Sequence, residues 1–358
     1  MSISRLRVDA FTTGHGDPSA RFRVRQHINA LNSLGIDVHE HIPAIDKHAG
    51  IPSKIDGLTS LFPQSIIQNV WQGLKLTCRL PGLVKSLNSD LIWLNRELLP
   101  GRYSLERLLT RPIILDIDDA VWVGKPNGFE TMRRLGSEAA AVLAGNAYIA
   151  DWFSQWNSNI HVVPTAIDTE RFFPVIKDSD ASQNNVFTVG WTGSSGNFHY
   201  MYAIEKPLNA FLEKYNCKLL IIAESEPKFQ FIRSSRIDFR RWSPEAEALS
   251  LREMDVGLMP LSNSGWTRGK CSFKMLQYMS TAIPVVVSPV GMNVEILNMG
   301  LMGYSAETDD QWFEALHSIY HNRQLALEMG KTGRRIIIEN FSSREISKKI
   351  ANIFRSAT

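Results

Sequence analysis

Positively charged side chains cluster where a polar loop enters a helix in the second half of the sequence. Arg268 and Lys270 lie in the loop, and Lys274 follows one turn into the predicted helix. Helix N-termini carry unpaired N–H groups and a positive partial charge, so they attract phosphates. The four-residue spacing lets Lys270 and Lys274 share a face and converge on one diphosphate. Gln277, one turn later, can hydrogen-bond a sugar hydroxyl. The alternative is a solvated basic helix start.

Acidic side chains follow two strand candidates in the first half of the sequence. Asp116, Asp118 and Asp119 end one strand in the run DIDDAVW. A D-x-D pattern is typical of a metal site, but lysines already serve the phosphate charges. We therefore prefer a contact with an acceptor hydroxyl, or a structural cap. Arg96 and Glu97 follow the strand DLIWLN and can face the ligand cleft in the same way. The alternative to this ligand-facing role is a buried ion pair.

A glycine-containing loop, TTGHGDPSARFR, follows the first strand candidate. Gly14 and Gly16 permit positive φ values and a close backbone approach. Arg21 and Arg23 come next and can reach a phosphate or an acidic acceptor, unless the segment is a structural turn with solvated arginines. His15 either contacts a ligand or is a surface residue.

Alternating strand and helix candidates must position these side chains. The first half gives RLRVDAF, a helix from Phe22 to Leu34, IDVHEHI, DLIWLN, PIILDI, AYIA and IHVVP; the pattern then restarts at VFTVGWTG. This alternation predicts two doubly wound α/β domains, which bind ligands at the carboxyl ends of their strands and at the cleft between them. We predict domains at 1–178 and 179–333, and a C-terminal helix over 334–358 that returns to the first domain.

Composition limits the class of protein. The chain has 358 residues, 44% of them hydrophobic, and a net charge of +3, which fits two globular domains and does not suggest nucleic-acid binding. The three cysteines lack metal-ligand spacing, and no signal segment or bilayer-length apolar run occurs. These features predict a cytoplasmic protein.

Several motifs, in order along the chain, resemble those of one enzyme family. They are PSARFRVRQHINALNSLGI, ILDIDDAVW, PTAID, GWTGSSGN, DVGLMPL and GKCSFKMLQYMSTAIPVVVSPVG. The set resembles family-four glycosyltransferases of the GT-B fold. The resemblance implies a retaining, metal-independent transfer from a UDP- or GDP-linked sugar to a glycan or lipid-linked acceptor. It also implies a role in cell-surface polysaccharide or glycoconjugate synthesis, with no cofactor.

The resemblance also suggests roles for individual residues. The donor would be bound by residues of the second domain: Gly193, Ser194, Ser195, Trp242, Arg268, Lys270, Lys274, Gln277 and Glu295. Asp118, Asp119 and His15 are the catalytic candidates. The loop and acceptor candidates are Gly14, Gly16, Arg21, Arg23 and Arg96. Trp242 is alternatively a core residue, and Glu295 a helix cap.

Two departures from the family pattern keep another function open. Gly269 and Gln277 stand where many members have two glutamates, and the usual Arg and Lys pair is absent from GWTGSSGNFHYM. A non-catalytic GT-B partner that binds a glycan or another transferase is therefore the alternative. A dinucleotide-dependent oxidoreductase is disfavoured, because no G-x-G-x-x-G follows the first strand.

The segment from Ser65 to Leu87 mixes apolar residues with Lys75, Arg79 and Lys85. It either lies on an anionic membrane at the inner face, or forms two core-facing helices interrupted around Pro81.

Overall fold

The computed structural model describes residues 5–52, 62–174 and 186–358. The chain divides into two compact units. The first comprises Met1–Ala166 and Ser343–Thr358, and the second comprises Ile167–Ser342. Among the described residues, no helix combines the length and the hydropathy that a bilayer crossing requires.

The first unit contains a parallel six-stranded sheet in the order β2-β1-β3-β4-β5-β6. Its strands are β1 (Leu6–Phe11), β2 (Ile36–His41), β3 (Leu91–Asn95), β4 (Ile113–Ile117), β5 (Ala141–Ala144) and β6 (Ile160–Val162). Every residue of β3 is buried, as expected for a parallel strand covered on both faces. The strand order reverses between β1 and β3, which makes the carboxyl ends of these strands the expected ligand position.

Helices flank this sheet. They are α1 (Ile28–Ser33), α2 (Gln64–Thr77), α3 (Leu80–Ser86), α4 (Gly128–Glu138) and α5 (Ala147–Phe153). The helical segment predicted from Phe22 to Leu34 is present, but only its second half is α-helical. A π-helical turn (Ala20–Val24) and a 3-10 turn (Arg25–His27) come before α1.

The second unit repeats the design with a parallel sheet in the order β12-β11-β10-β7-β8-β9. The strands are β7 (Phe187–Thr192), β8 (Cys217–Ala223), β9 (Ile237–Arg241), β10 (Val256–Met259), β11 (Val285–Val287) and β12 (Gly303–Ser305). The order reverses between β7 and β10, so ligands are expected at the carboxyl ends of these two strands.

The helices of the second unit are α6 (Phe198–Ala203), α7 (Glu205–Lys214), α8 (Glu247–Leu251), α9 (Gly265–Arg268), α10 (Phe273–Ser280), α11 (Met292–Leu297), α12 (Asp309–His321) and α13 (Arg323–Asn340). One apolar core lies on each face of the sheet. The last helix, α14 (Ser343–Ser356), belongs to the first unit. The prediction of two doubly wound α/β domains is confirmed.

The boundaries between the units lie at other residues than the predicted boundaries, 178/179 and 333/334. The first change follows Ala166, because the Ile167 N–H donates to the Phe341 carbonyl (2.8 Å) and Phe172 enters the second unit's core. The return follows Ser342, because α13 stays in the second unit, where Arg334 Nη2 donates to the Thr169 carbonyl (2.9 Å).

Candidate functional site

A lysine from α10 crosses the loop at the carboxyl end of β7. The loop begins at Gly193, where an added Cβ would lie 2.4 Å from Cε of Lys274. Lys274 is half-buried, and its Nζ lies 5.5 Å from the ring centroid of Trp191. Glycine is therefore required at position 193 for this approach. The structure thus brings together two of the predicted site elements, the Gly-Ser-Ser loop and Lys274.

Helix α10 is fixed across the ends of β7 and β10 by its own polar side chains. The Tyr278 hydroxyl accepts a hydrogen bond from the Thr192 N–H (3.0 Å) and donates one to the Leu258 carbonyl (3.2 Å). Ser272, the N-cap residue with φ 51°, donates its hydroxyl to Asn293 Oδ1 (2.7 Å). These bonds set the position of the first turn of α10, which carries Lys274.

Arg268 and Lys270 lie on the segment that leads into α10. A capping box of Ser264 and Thr267 starts α9, which ends at the exposed Arg268. Gly291, with φ 53°, packs on this segment, since an added Cβ would lie 2.6 Å from the Arg268 carbonyl oxygen. Lys270 Nζ lies 5.2 Å from the centroid of a Trp266 ring. Lys270 precedes the N-cap of α10, so the predicted common helical face with Lys274 is wrong.

Gln277 lies in the interior of the second unit, where its side chain is 2% exposed. Its Nε2 donates to Glu247 Oε1 (2.8 Å), and Glu247 Oε2 lies 3.3 Å from Arg171 Nη2. A buried amide must find a partner, and α8 supplies it. Gln277 therefore directs its amide nitrogen to Glu247 and not to a sugar hydroxyl, which corrects the predicted contact.

The two serines of the β7 loop differ in their surroundings. Ser194 is exposed. The backbone N–H of Ser195 donates to Glu224 Oε2 (2.8 Å), a carboxylate at the end of β8 that the sequence reasoning missed. In this structure the Ser195 N–H is thus bound within the protein.

Trp242 and Glu295 lie at two further positions of the second unit. Trp242 is half-buried against an apolar core of the second unit. Its backbone N–H donates to the Ala223 carbonyl (2.8 Å), which places Trp242 at the carboxyl end of β9. Glu295 is exposed in the first turn of α11.

In the first unit, Arg96 binds both candidate catalytic carboxylates. Arg96 has φ 62° directly after β3. Its Nε donates to Asp118 Oδ1 (2.6 Å), and its Nη2 donates to Asp119 Oδ2 (2.8 Å). Burial raises the pKa of the Asp118 carboxyl, but the Arg96 guanidinium outweighs burial and holds this pKa below its usual range. Asp118 is therefore a poor proton acceptor near neutral pH, while Asp119 is the more exposed of the two.

Arg23 is a structural residue, contrary to both predicted interpretations. It is 2% exposed, and its Nε donates to Asp116 Oδ1 (2.9 Å). Its Nη1 donates to the Val163 carbonyl (2.7 Å). Arg21 is half-buried, with its guanidinium 4.7 Å from the Phe22 ring centroid. A buried guanidinium must be paired. The partners of Arg23 are Asp116 and the Val163 carbonyl, both inside the first unit.

The glycine loop is held by a residue that the sequence reasoning missed. Arg25 Nη1 donates to the His15 carbonyl (2.7 Å), Nη2 donates to the Gly14 carbonyl, and Nε donates to Glu40 Oε2 (2.8 Å). His15 and Gly16 are exposed, whereas Gly14 is buried. Its sequence position does not distinguish Arg25 from the nearby Arg21 and Arg23. Its hydrogen bonds to the glycine loop do.

A second missed residue, Lys47, is buried near the end of β3. Its Nζ donates to the Glu97 carbonyl oxygen (3.0 Å), and burial lowers its pKa to about 8. Lys125 Nζ lies 3.5 Å from Glu97 Oε1. Glu97 is thus surrounded by cations in the interior, in agreement with the ion-pair alternative. Among the described residues, no three His, Cys, Asp or Glu side chains form a group that could hold a metal ion.

Comparisons with known proteins agree with the two-domain α/β fold. Residues 186–322 match the sequence profile of the family described as Glycosyl transferases group 1. No curated protein sequence matches the chain.

Three similar solved structures cover nearly the whole chain. Sucrose-phosphate synthase of Thermosynechococcus elongatus is 18% identical, covers 98% of this chain and 99% of its own, and has a TM-score of 0.71. HepE of Anabaena, in complex with UDP and glucose, is 13% identical over 98% of this chain and 100% of its own, with a TM-score of 0.67. A glycosyltransferase of Rickettsia africae is 13% identical, covers 99% of this chain and 98% of its own, and has a TM-score of 0.68. The predicted GT-B fold is confirmed.

Proposed function

We propose that this protein is a glycosyltransferase that moves a sugar from a nucleotide diphosphate-sugar to an acceptor hydroxyl. The observation that carries the proposal is the crossing of Lys274 over Gly193 at the strand-order reversal of the second sheet. The matched family profile spans this loop and the segment from Arg268 to Lys274. The Anabaena protein of similar fold is solved with UDP and glucose, which favours a uridine or other nucleoside diphosphate donor.

In the proposed reaction the bond between the sugar carbon and the diphosphate oxygen breaks. A bond from the acceptor oxygen to the same carbon forms, and the proton of the acceptor hydroxyl passes to the departing diphosphate oxygen. Lys274 and Lys270, with Arg268, stabilise the negative charge that develops on the departing diphosphate. We propose that these cations perform this task without a metal and that the sugar configuration is retained.

The first unit supplies the proposed acceptor site at the carboxyl ends of β3 and β4. Arg96 fixes Asp118 and Asp119 there, and each carboxylate oxygen has more than one acceptor position at which a sugar hydroxyl can donate. Asp119 is the half-exposed member of this group. A glycan or lipid-linked acceptor in cell-surface polysaccharide or glycoconjugate synthesis suits such a site.

A second candidate function is a non-catalytic partner protein. It is favoured by Gln277, whose amide nitrogen is bound to Glu247 inside the second unit, and by Gly269, which has no side chain to reach a sugar. This candidate predicts binding of a nucleotide-sugar without transfer or hydrolysis. A panel of UDP- and GDP-linked sugars, assayed for binding and for release of free nucleotide, separates the two functions.

The diphosphate assignment is tested by calorimetric titration of UDP and GDP into the protein. Lys274→Ala should weaken binding of the preferred nucleotide about tenfold to hundredfold, because a hydrogen bond to a charged group contributes roughly 1.5–3 kcal/mol. Lys331→Ala, at an exposed lysine of α13, is the matched control and should bind normally. Equal affinity of Lys274→Ala and the unaltered protein would refute the assignment.

A further inference from the structure

Helix α2 exposes an apolar face. Ile66, Val70 and Leu74 recur at four-residue intervals and are 50%, 59% and 45% exposed. Phe62, just before the helix, is 55% exposed. Residues four apart lie on the same side of a helix, so these side chains form a continuous apolar stripe. A large exposed apolar stripe commonly marks an interaction surface.

The side of α2 that carries Trp71 and Lys75, about 100° around the helix from the stripe, makes polar contacts with the rest of the first unit. Lys75 is 4% exposed, and its Nζ donates to the Lys47 carbonyl (2.8 Å). Trp71 is half-buried, and its Nε1 donates to the Ala49 carbonyl (3.0 Å). The helix thus buries a lysine and exposes isoleucine, valine and leucine. This is the reverse of the usual arrangement, and the inward hydrogen bonds hold it there.

Helix α3, which begins three residues after the end of α2, also exposes apolar side chains. Leu80, Val84 and Leu87 are 43%, 65% and 48% exposed, while Leu83 packs inward. Seven of the nineteen exposed large apolar residues described in the chain therefore fall between residues 62 and 87. We call the exposed side chains of α2 and α3, together with Phe62, the apolar surface.

The charge of this region is positive only. No Asp or Glu occurs from residue 57 to residue 89. Lys85 is exposed beside Val84, and the exposed Arg111 donates its Nη2 to the Leu87 carbonyl (2.7 Å). The other two cations of the segment, Lys75 and Arg79, are buried. The apolar surface is therefore accompanied by Lys85 and Arg111, without a neighbouring acid in the sequence segment to neutralise them.

We propose that the apolar surface docks the first unit on an anionic lipid bilayer. An interfacial helix inserts its apolar side chains at the boundary between headgroups and acyl chains, and cations beside them bind anionic headgroups. The apolar surface supplies the inserted side chains, and Lys85 and Arg111 supply the cations. This docking goes beyond the proposed transferase activity and does not depend on it.

The docking is tested by flotation of the full chain with vesicles. One set contains phosphatidylcholine alone, and the other contains phosphatidylcholine with phosphatidylglycerol. The unaltered protein should float with the anionic vesicles, and 1 M salt should weaken its binding, because salt at that concentration shortens the screening length to about 3 Å. Val70→Glu combined with Val84→Glu should lower the bound fraction about tenfold, since both charges would enter the apolar region. The matched control is Leu327→Glu, at a residue of α13 that is 51% exposed.

A second pair of variants tests the cationic contribution. Lys85→Glu should reduce binding to anionic vesicles, whereas Lys331→Glu in the second unit should not. The serine pair Val70→Ser and Val84→Ser provides a milder variant if the glutamate pair unfolds, and thermal melting establishes that each variant is folded.

Three outcomes would overturn the docking proposal. One is failure of the unaltered protein to bind anionic vesicles, and another is unchanged binding by folded Val70 and Val84 variants. The third is a protein dimer in light scattering that these substitutions dissociate, which would assign the apolar surface to a second copy of the chain. The vesicle assay contains no nucleotide. Its result therefore does not depend on whether the protein binds a nucleotide-sugar.

Discussion

At the scale of single residues, the proposed donor site depends on a missing side chain. Lys274 reaches the end of β7 because Gly193 leaves the space that its Cε approaches. The Trp191 ring adjoins the same lysine, with the Nζ 5.5 Å from the ring centroid. A lysine ammonium near an aromatic face is attracted by the ring and loses less side-chain freedom when an anion binds. Gly193 is thus a determinant of where the positive charge lies.

Gly193→Ala should therefore displace Lys274 and weaken UDP or GDP binding about tenfold, with a small loss of thermal stability. The added Cβ would lie 2.4 Å from Cε of Lys274, whose flexible chain can move away, and 2.9 Å from Cζ2 of the buried Trp191 ring, which must shift slightly. Calorimetric titration measures the affinity. Gly196→Ala is the matched control, because its Cβ would meet only the Ser194 hydroxyl, at 3.6 Å. If both variants bind with the same affinity, the Lys274 crossing has no role in nucleotide binding.

At the scale of elements, α10 and the ends of two strands form one structural group. The Tyr278 ring packs so closely on β10 that a Cβ at Gly257 would lie 2.3 Å from its Cγ. The buried hydroxyl of Tyr278 accepts from the Thr192 N–H, directly before the glycine loop. Burial raises the pKa of this hydroxyl, so it stays protonated and donates to Leu258. The tyrosine thereby links the helix that carries Lys274 to the strand that carries Gly193.

Tyr278→Phe should lower the free energy of unfolding by about 1–3 kcal/mol, because it leaves the buried Thr192 N–H and the Leu258 carbonyl without this partner. Nucleotide affinity should fall as well, since the loop after Thr192 loses its support. Urea titration and calorimetry measure the two effects. Tyr320→Phe, which keeps the ring beside Phe187 at 5.3 Å, should change neither. A fully stable Tyr278→Phe variant would contradict the linking role.

Sequence patterns predicted the elements better than the contacts of individual side chains. Strand and helix alternation predicted the two sheets, although the strand candidate AYIA was wrong, because it lies in α5 and the strand β5 precedes it. The helix after Ser272 appears where expected. Spacing could not show which side of α10 packs inward, so Gln277 was assigned to a ligand although it binds Glu247. Arg23 was misinterpreted for a similar reason, because its partner Asp116 lies 93 residues away. Long-range pairing of buried charges leaves no local periodic signal.

At the scale of the whole chain, the last helix completes the first unit. Ile346, Ile350 and Phe354 of α14 join its apolar core, and the Phe354 ring meets Trp93 edge-on at 5.1 Å. Ser347 of α14 makes a buried polar contact, because its hydroxyl lies 2.7 Å from His27 Nδ1. Stability of the first unit therefore depends on a residue near each end of the chain, and His27 makes that dependence sensitive to pH.

His27 should make the protein lose stability in mild acid. Burial, and then the nearby Arg23 cation, lower its pKa from 6.5 to about 3. The unfolded chain therefore binds the extra proton between pH 6.5 and 3, so this stability is complete above pH 6.5 and declines as the pH falls. The expected slope is about 1.4 kcal/mol per pH unit.

Urea unfolding at several pH values between 7 and 4 measures this slope. His27→Gln keeps a hydrogen-bonding side chain at Ser347 but cannot be protonated in this range, so its free energy of unfolding should vary less with pH than that of the unaltered protein. The exposed His39 provides the control substitution, His39→Gln. Equal slopes for His27→Gln and the unaltered protein would exclude His27 as the cause. A smaller slope would show that the contact between α14 and the rest of the first unit requires a neutral imidazole, since charging the imidazole would place a second cation beside Arg23 in the interior.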